Sequence, residues 1–212
     1  MTGLGRTGFV GRFKPLHEGS ARALDELCAR SDHAIIGIGS AGTEYKYNAR
    51  NPFTPLEVRG MIDAYLAPRH SNYSIIEIPD FAHLPGNEDG HAWAAYAREA
   101  YGPLDTFVTG NPFVERLLTP AYQIIHPSLV VPRERWIRLC ATQVRLEMAR
   151  GDRWEPLVPP EVAAYIKERG LDERFRREFG LATLGTLIAD TDPLARADEQ
   201  RERANAQEVS AW

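Results

Sequence analysis

Short apolar and β-branched runs recur along the chain at Gly8 to Phe13, His33 to Gly39, Tyr73 to Pro79, Thr106 to Gly110 and Tyr122 to His126, separated by segments of helical period. That alternation predicts an α/β domain in which helices cover a parallel sheet. Ala21, Leu24, Leu27 and Cys28 fall on one helical face, which predicts a helix from about Ser20 to Arg30. The clearest helix start is Thr54 as N-cap, Pro55 at the first helical position and Glu57 closing a capping box ahead of Val58, Met61, Ile62 and Tyr65. Gly90 to Tyr101 and Asn111 to Leu118 predict two more helices.

After Trp136 the strand signals stop. Thr142 to Arg150 closes on Gly151 and Pro160 to Arg169 on Gly170, each glycine standing where a left-handed residue ends a helix. The expected organisation is a core over 1–136, a helical part of the same domain over 137–190, and a charged tail over 191–212 expected to be loosely helical or disordered. Leu181 to Ile188 is apolar enough to pack on the core or on a neighbouring molecule.

At 212 residues the chain can bury roughly 70% of its unfolded surface without staples. The formal net charge of −4 excludes a global basic field, so neither nucleic acid nor an anionic membrane is an expected partner, and any anion site must be local. Only Lys14, Lys46 and Lys167 are lysines, and the other basic residues are arginines, whose guanidinium forks suit phosphate where glycine turns gather them. Cys28 and Cys140 make no disulfide framework, no apolar run approaches the ~18 residues of a membrane span, and no leader pattern opens the chain. A soluble cytoplasmic protein is expected.

Gly3 to Gly8 reads G-x-G-x-x-G, but nothing precedes it that could serve as the strand of a dinucleotide fingerprint, so it is expected to be a flexible lead. The informative stretch is Gly11-Arg12-Phe13-Lys14-Pro15-Leu16-His17-Glu18-Gly19-Ser20, between the first strand and the first helix. Its glycines admit a close backbone, the helix start offers free N–H groups to phosphate, and Arg12, Lys14 and His17 add cationic or donor side chains. Cys140-Ala141-Thr142-Gln143-Val144-Arg145 opens a later helix, with Thr142 typed as N-cap. An arginine so early opposes the helix dipole, and a bound anion reverses that sign.

Together these blocks resemble the nucleotidyltransferase superfamily with the H-x-G-H signature, and in detail the archaeal-type nicotinamide mononucleotide adenylyltransferases. The resemblance spans about residues 8 to 169. It is carried by G-R-F-K-P-L-H-E-G at 11–19, I-G-S-A at 38–41, R-N-P-F-T at 50–54, I-P-D at 78–80, A-W at 92–93, G-N-P-F-V at 110–114, T-Q-V-R at 142–145 and G-D-R-W-E-P-L-V-P at 151–159, in shared order and spacing.

The resemblance implies a Rossmann-like, doubly wound fold with a small C-terminal helical extension. It implies ATP as substrate, with CTP as the alternative, Mg²⁺ held mainly through nucleotide phosphates with no protein metal ligands, and a homo-oligomer. Arg12, Lys14, His17, Ser20 and Arg145 are the implied catalytic group. Gly11, Phe13, Gly19, Gly39, Ser40, Gly110, Asn111 and Thr142 would bind nucleotide, and Arg50, Asp80 and Trp93 the acceptor. Trp93 fits equally a stack on a nicotinamide ring or core packing with Ala97 and Tyr101. Ser20 stands where the signature has its second histidine; a serine can cap a helix but carries no positive charge. Three readings remain open: transfer of AMP to nicotinamide mononucleotide, cytidylyl or related transfer to another small phosphate or phosphonate, and nucleotide binding without turnover.

Overall fold

The computed structural model describes residues 3–41, 47–81 and 89–191, with side chains to residue 186. Five strands, β1 (Arg6–Gly11), β2 (His33–Gly39), β3 (Tyr73–Ile78), β4 (Thr106–Val108) and β5 (Gln123–Ile125), form one parallel sheet in the order β3-β2-β1-β4-β5. The connections run outward from β1 to both edges, so the sheet is doubly wound. The carboxyl end of β1, beside β4, is the topological switch point where such sheets open a crevice.

The helices are α1 (Glu18–Arg30), α2 (Pro55–Leu66), α3 (His91–Tyr101), α4 (Pro112–Leu118), the single turn α5 (Pro127–Val130), α6 (Ala141–Arg150), α7 (Pro160–Glu168) and α8 (Leu171–Thr191). Period-two alternation in β2 assigns them to two faces. Ala34, Ile36 and Ile38 join the larger core with residues of α1, α2 and α6 to α8, while Ile35 joins a smaller core with Ala94, Ala97 and Tyr101 of α3 and Leu117 and Leu118 of α4. The C-terminal helices are part of the main core: Trp154 is 1% exposed and Phe175 is fully buried. Among the described residues no helix is long and apolar enough to cross a membrane.

Three expectations change. The chain entering β1 is ordered: Leu4 is buried, its N–H donates to the Arg30 carbonyl at 2.8 Å, and the strand begins at Arg6. Pairing of Arg6 with His33 and Thr7 with Thr106 holds the segment whose glycines suggested a flexible lead. The strand also ends at Gly11, because Phe13 turns into the left-handed region at φ 52°. The apolar stretch near Leu181 divides, with Leu184 against the main core and Leu181 89% exposed. The charged tail beyond Thr191 lies outside the described residues.

Gly37 is required by a close approach. A Cβ there would stand 2.0 Å from the hydroxyl of Tyr101, which is buried and donates to the Phe9 carbonyl at 2.8 Å. Gly37→Ala should cost on the order of 1–3 kcal/mol by overpacking, read as a lower urea midpoint at unchanged slope. Adding Tyr101→Phe should recover part of that loss, because the clashing oxygen is gone.

Candidate active site

The loop from β1 to α1 crosses the switch point. Gly11 lacks a Cβ where one would meet the Phe13 ring at 2.7 Å, and Phe13 is buried against Phe9. That fold-back turns Lys14 inward. Its side chain is 1% exposed, and its ammonium donates to the Ser40 carbonyl at 2.9 Å and to Asn51 Oδ1 at 3.3 Å. The loop after β1 is thereby fastened to the ends of two neighbouring segments.

His17 is the N-cap of α1. Its Nδ1 accepts the Ser20 N–H at 3.2 Å, while the Ser20 hydroxyl accepts the His17 N–H at 3.1 Å and donates to the His17 carbonyl at 2.9 Å. This is a capping box with an imidazole in place of the usual oxygen. Burial pulls the His17 pKa down to about 4. The ring is therefore neutral at pH 7, and with Nδ1 accepting, its proton sits on Nε2 as a hydrogen-bond donor. Of the two roles open to His17, donor and cation, the structure favours the donor.

From the other side of the switch point, Arg145 on α6 reaches into the same loop. It is 8% exposed, donating from Nη1 to the Lys14 carbonyl at 2.8 Å and from Nη2 to Thr142 Oγ1 at 3.1 Å. Thr142 is not the N-cap expected. That position belongs to Cys140, whose N–H is taken by Gln143 Oε1 at 2.9 Å, and Thr142 instead sits one turn before Arg145 as its acceptor.

The cations are crowded. Arg145 is lowered to about 10, first by desolvation and then by Arg12 and Arg50, and Lys14 to about 8, first by desolvation and then by Arg12, with Asp80 opposing. Arg12 is lowered too, by partial burial of its guanidinium and by Arg50. Mutual repulsion of this kind favours a bound anion.

A cavity of about 390 Å³ opens beside this cluster, lined by Gly11, Arg12, Gly39, Ser40, Asp80 and Trp93 among others. Ser40, at φ 50°, donates its hydroxyl to Asp80 at 3.3 Å. Trp93 lines the cavity and also packs on the smaller core. A second cavity of about 200 Å³ lies past the start of α1 and is lined by His17, Gly19, Ser20, Trp136 and Ile137 among others. A Cβ on Gly19 would stand 2.9 Å from the Ile137 carbonyl.

No family model matches the chain. The nicotinamide-nucleotide adenylyltransferase of Methanosphaerula palustris is 33% identical over 177 residues, covering 84% of this chain and 99% of that protein. Those of Thermococcus onnurineus and Pyrococcus furiosus are 36% and 35% identical, covering 76% and 79% of this chain and 81% and 86% of theirs. The chain belongs to the nicotinamide-nucleotide adenylyltransferase family. Among solved structures, a bifunctional NMN adenylyltransferase/ADP ribose pyrophosphatase from Francisella tularensis, complexed with AMP and a manganese ion, superposes with a TM-score of 0.67 at 18% identity. That likeness shows the fold; the match covers 90% of this chain and 57% of the bifunctional one.

Within this family frame, Arg12 interacts electrostatically with each of Lys14, Arg50, Asp80 and Arg145, and His17 and Ser20 stand at the start of α1 on the same loop. Gly110 and Asn111 stand apart from both cavities' linings, beyond β4, where Asn111 Oδ1 caps α4 by accepting the Phe113 N–H at 2.9 Å. Residues not singled out also take part. Asn51 anchors Lys14, and Phe81 and Phe113 line the larger cavity. Asn51 and Phe113 lie inside quoted motifs, while Phe81 carries no periodic signal.

The folded state holds His17 neutral and the unfolded chain protonates it near 6.5, so acid favours unfolding. Stability from this group is complete above pH 6.5 and falls as pH drops toward 4. His17→Asn keeps an N-cap acceptor and should flatten that fall in urea midpoints measured from pH 7 to 4.

Proposed function

We propose that this protein transfers the adenylyl group of ATP to nicotinamide mononucleotide, yielding NAD and pyrophosphate. The reading rests on the family of its relatives. The observation in this chain that carries it is the knot of Arg12, Lys14 and Arg145 at the switch point, each lowered first by desolvation, with the exposed Arg50 adding repulsion to Arg12 and Arg145. In the proposed reaction a phosphate oxygen of the mononucleotide attacks the α-phosphorus of ATP in line. The new P–O bond forms as the bond to the bridging oxygen breaks, and pyrophosphate leaves with that electron pair. No covalent enzyme intermediate is needed, so the chain's work is positioning and charge stabilisation.

In this reading Arg145 and Arg12 hold the triphosphate, and the His17 Nε2–H donates to it without adding charge. Ser20 is a positioning residue, since its hydroxyl is committed to the His17 backbone. Lys14 sets the loop and contributes charge below about pH 8. Gly11, Phe13, Gly19, Gly39, Ser40 and Thr142 shape the nucleotide's surroundings. Arg50 meets the acceptor phosphate, and Trp93 with Asp80 flanks its ring. The segment 137–190 belongs to the same domain as 1–136, because Arg145 completes the triphosphate site.

Among the described residues no group of three His, Cys, Asp or Glu side chains gathers to cage a metal. In this proposal Mg²⁺ is carried on the nucleotide's phosphate oxygens, where the ion would supply charge neutralisation.

Pyrophosphate release should be fast with ATP plus nicotinamide mononucleotide and slow with CTP, GTP or UTP. Release with CTP and another phosphate acceptor, or tight nucleotide binding with no release at all, would contradict the proposal. Arg145→Ala should lower kcat/KM on the order of 10²-fold, in line with loss of a charged donor to the reacting phosphates.

A further inference from the structure

The acceptor side of the site depends on a short segment, residues 47–54, in which Arg50 stands at a turn. Asn48 Oδ1 accepts the N–H of Arg50 at 2.9 Å and of Asn51 at 3.0 Å, and the Asn51 N–H also reaches the Asn48 carbonyl at 2.9 Å. The turn fixes the backbone of Arg50. Something else must fix the turn.

Its outer side lies on α8. The Tyr47 hydroxyl donates to Glu178 Oε2 at 2.5 Å, and the Tyr47 ring meets Phe179 edge-on at 4.9 Å between centroids. Further along the segment, Arg174 donates to the Pro52 carbonyl at 3.0 Å and forms a two-pronged pair with Glu57, the residue that closes the Thr54 capping box. Phe53, fully buried, lies near-parallel to Phe175 at 6.3 Å. Arg174, Phe175, Glu178 and Phe179 fall at helical spacing, so a single face of α8 makes all these contacts. On the inner side, Asn51 takes the Lys14 ammonium. The segment is thus gripped from both sides, with Arg50 between the grips.

We infer that this face of α8 is a brace that holds Arg50 toward the acceptor phosphate, with Tyr47, Arg174 and Glu178 as positioning residues for acceptor binding. The inference rests on the acceptor role proposed for Arg50. Neither Glu178 nor Tyr47 lines the cavities, and their effect passes through the backbone of 47–54. Burial, with Glu178 beside it, pushes the Tyr47 phenol up to about 12, so the hydroxyl stays a donor at neutral pH.

The test combines kinetics with amide exchange in the full chain. Tyr47→Phe and Glu178→Ala each remove the Tyr47–Glu178 hydrogen bond, the latter together with a long, exposed contact from Arg177; they should raise KM for nicotinamide mononucleotide about 3- to 10-fold, the range of one net hydrogen bond. KM for ATP, kcat and the thermal midpoint should stay near the parent's. Glu178→Gln keeps an acceptor for Tyr47 and should restore most of the affinity. In parallel, hydrogen exchange at the Arg50 and Asn51 amides should quicken in Glu178→Ala and not in Glu178→Gln. Unchanged exchange in Glu178→Ala overturns the brace whatever the kinetics show, and so does faster exchange with an unchanged KM when Arg50→Ala raises that KM. An unchanged KM in Arg50→Ala instead removes the acceptor role assigned to Arg50.

Discussion

The Arg145 guanidinium donates to the Lys14 carbonyl at 2.8 Å, and through that contact the C-terminal helices are fastened to the loop that follows the central strand. A buried cation is costly unless it is paired, and the two acceptors given to Arg145 are a carbonyl and the Thr142 hydroxyl, both neutral. Its remaining N–H groups and its charge are therefore available to a ligand. The loop geometry follows from the same contact: with Phe13 folded under Gly11 and the Lys14 carbonyl held by Arg145, the Lys14 side chain is directed to Ser40 and Asn51. Removing that tether would loosen three segments of the site together.

The contrast with the other basic residues is instructive. Arg135 pairs with Asp25 and Glu26, Arg69 with Glu161, Arg174 with Glu57 and Lys167 with Asp172. Each of these cations is raised above its ordinary value by its carboxylate. At the switch point the sign reverses: Arg12, Lys14 and Arg145 are all lowered, and the carboxylate Asp80 opposes this only in part. Among the described residues this mildly acidic protein thus gathers lowered cations in a small region, and that region is where a polyphosphate is proposed to bind.

Much of this was legible beforehand because it is local. The alternation of apolar runs with helical periods marks all five strands, and the Thr54–Glu57 capping box formed as its spacing requires. The turn at Gly11 to Ser20 was recognisable from glycine, arginine and histidine in one short stretch. What escaped depends on contacts distant in sequence or on unusual donors. An imidazole acting as N-cap for α1 has no place in the usual Ser, Thr, Asp and Asn vocabulary, so the start expected at about Ser20 falls two residues inside a helix that begins at Glu18. Thr142 looked like an N-cap, yet Cys140 and Gln143 close that box. The bonds from Lys14 to Asn51 and from α8 to Tyr47 join residues too far apart for any pattern to show. Ser20 reads differently once folded: its hydroxyl closes the capping box with the His17 backbone.

The central claim is that Arg12, Lys14 and Arg145 stay charged at neutral pH but at an electrostatic cost, from desolvation and mutual repulsion, that a bound anion relieves. With three lysines in the chain, selective labelling of lysine side-chain nitrogen gives a spectrum in which Lys14 can be followed by assignment against Lys14→Gln. In the free protein the Lys14 ammonium should titrate near pH 8, and saturating non-hydrolysable ATP analogue should move that midpoint upward by a unit or more. A midpoint at the ordinary lysine value of about 10.4 in the free protein, unmoved by the analogue, would contradict the account.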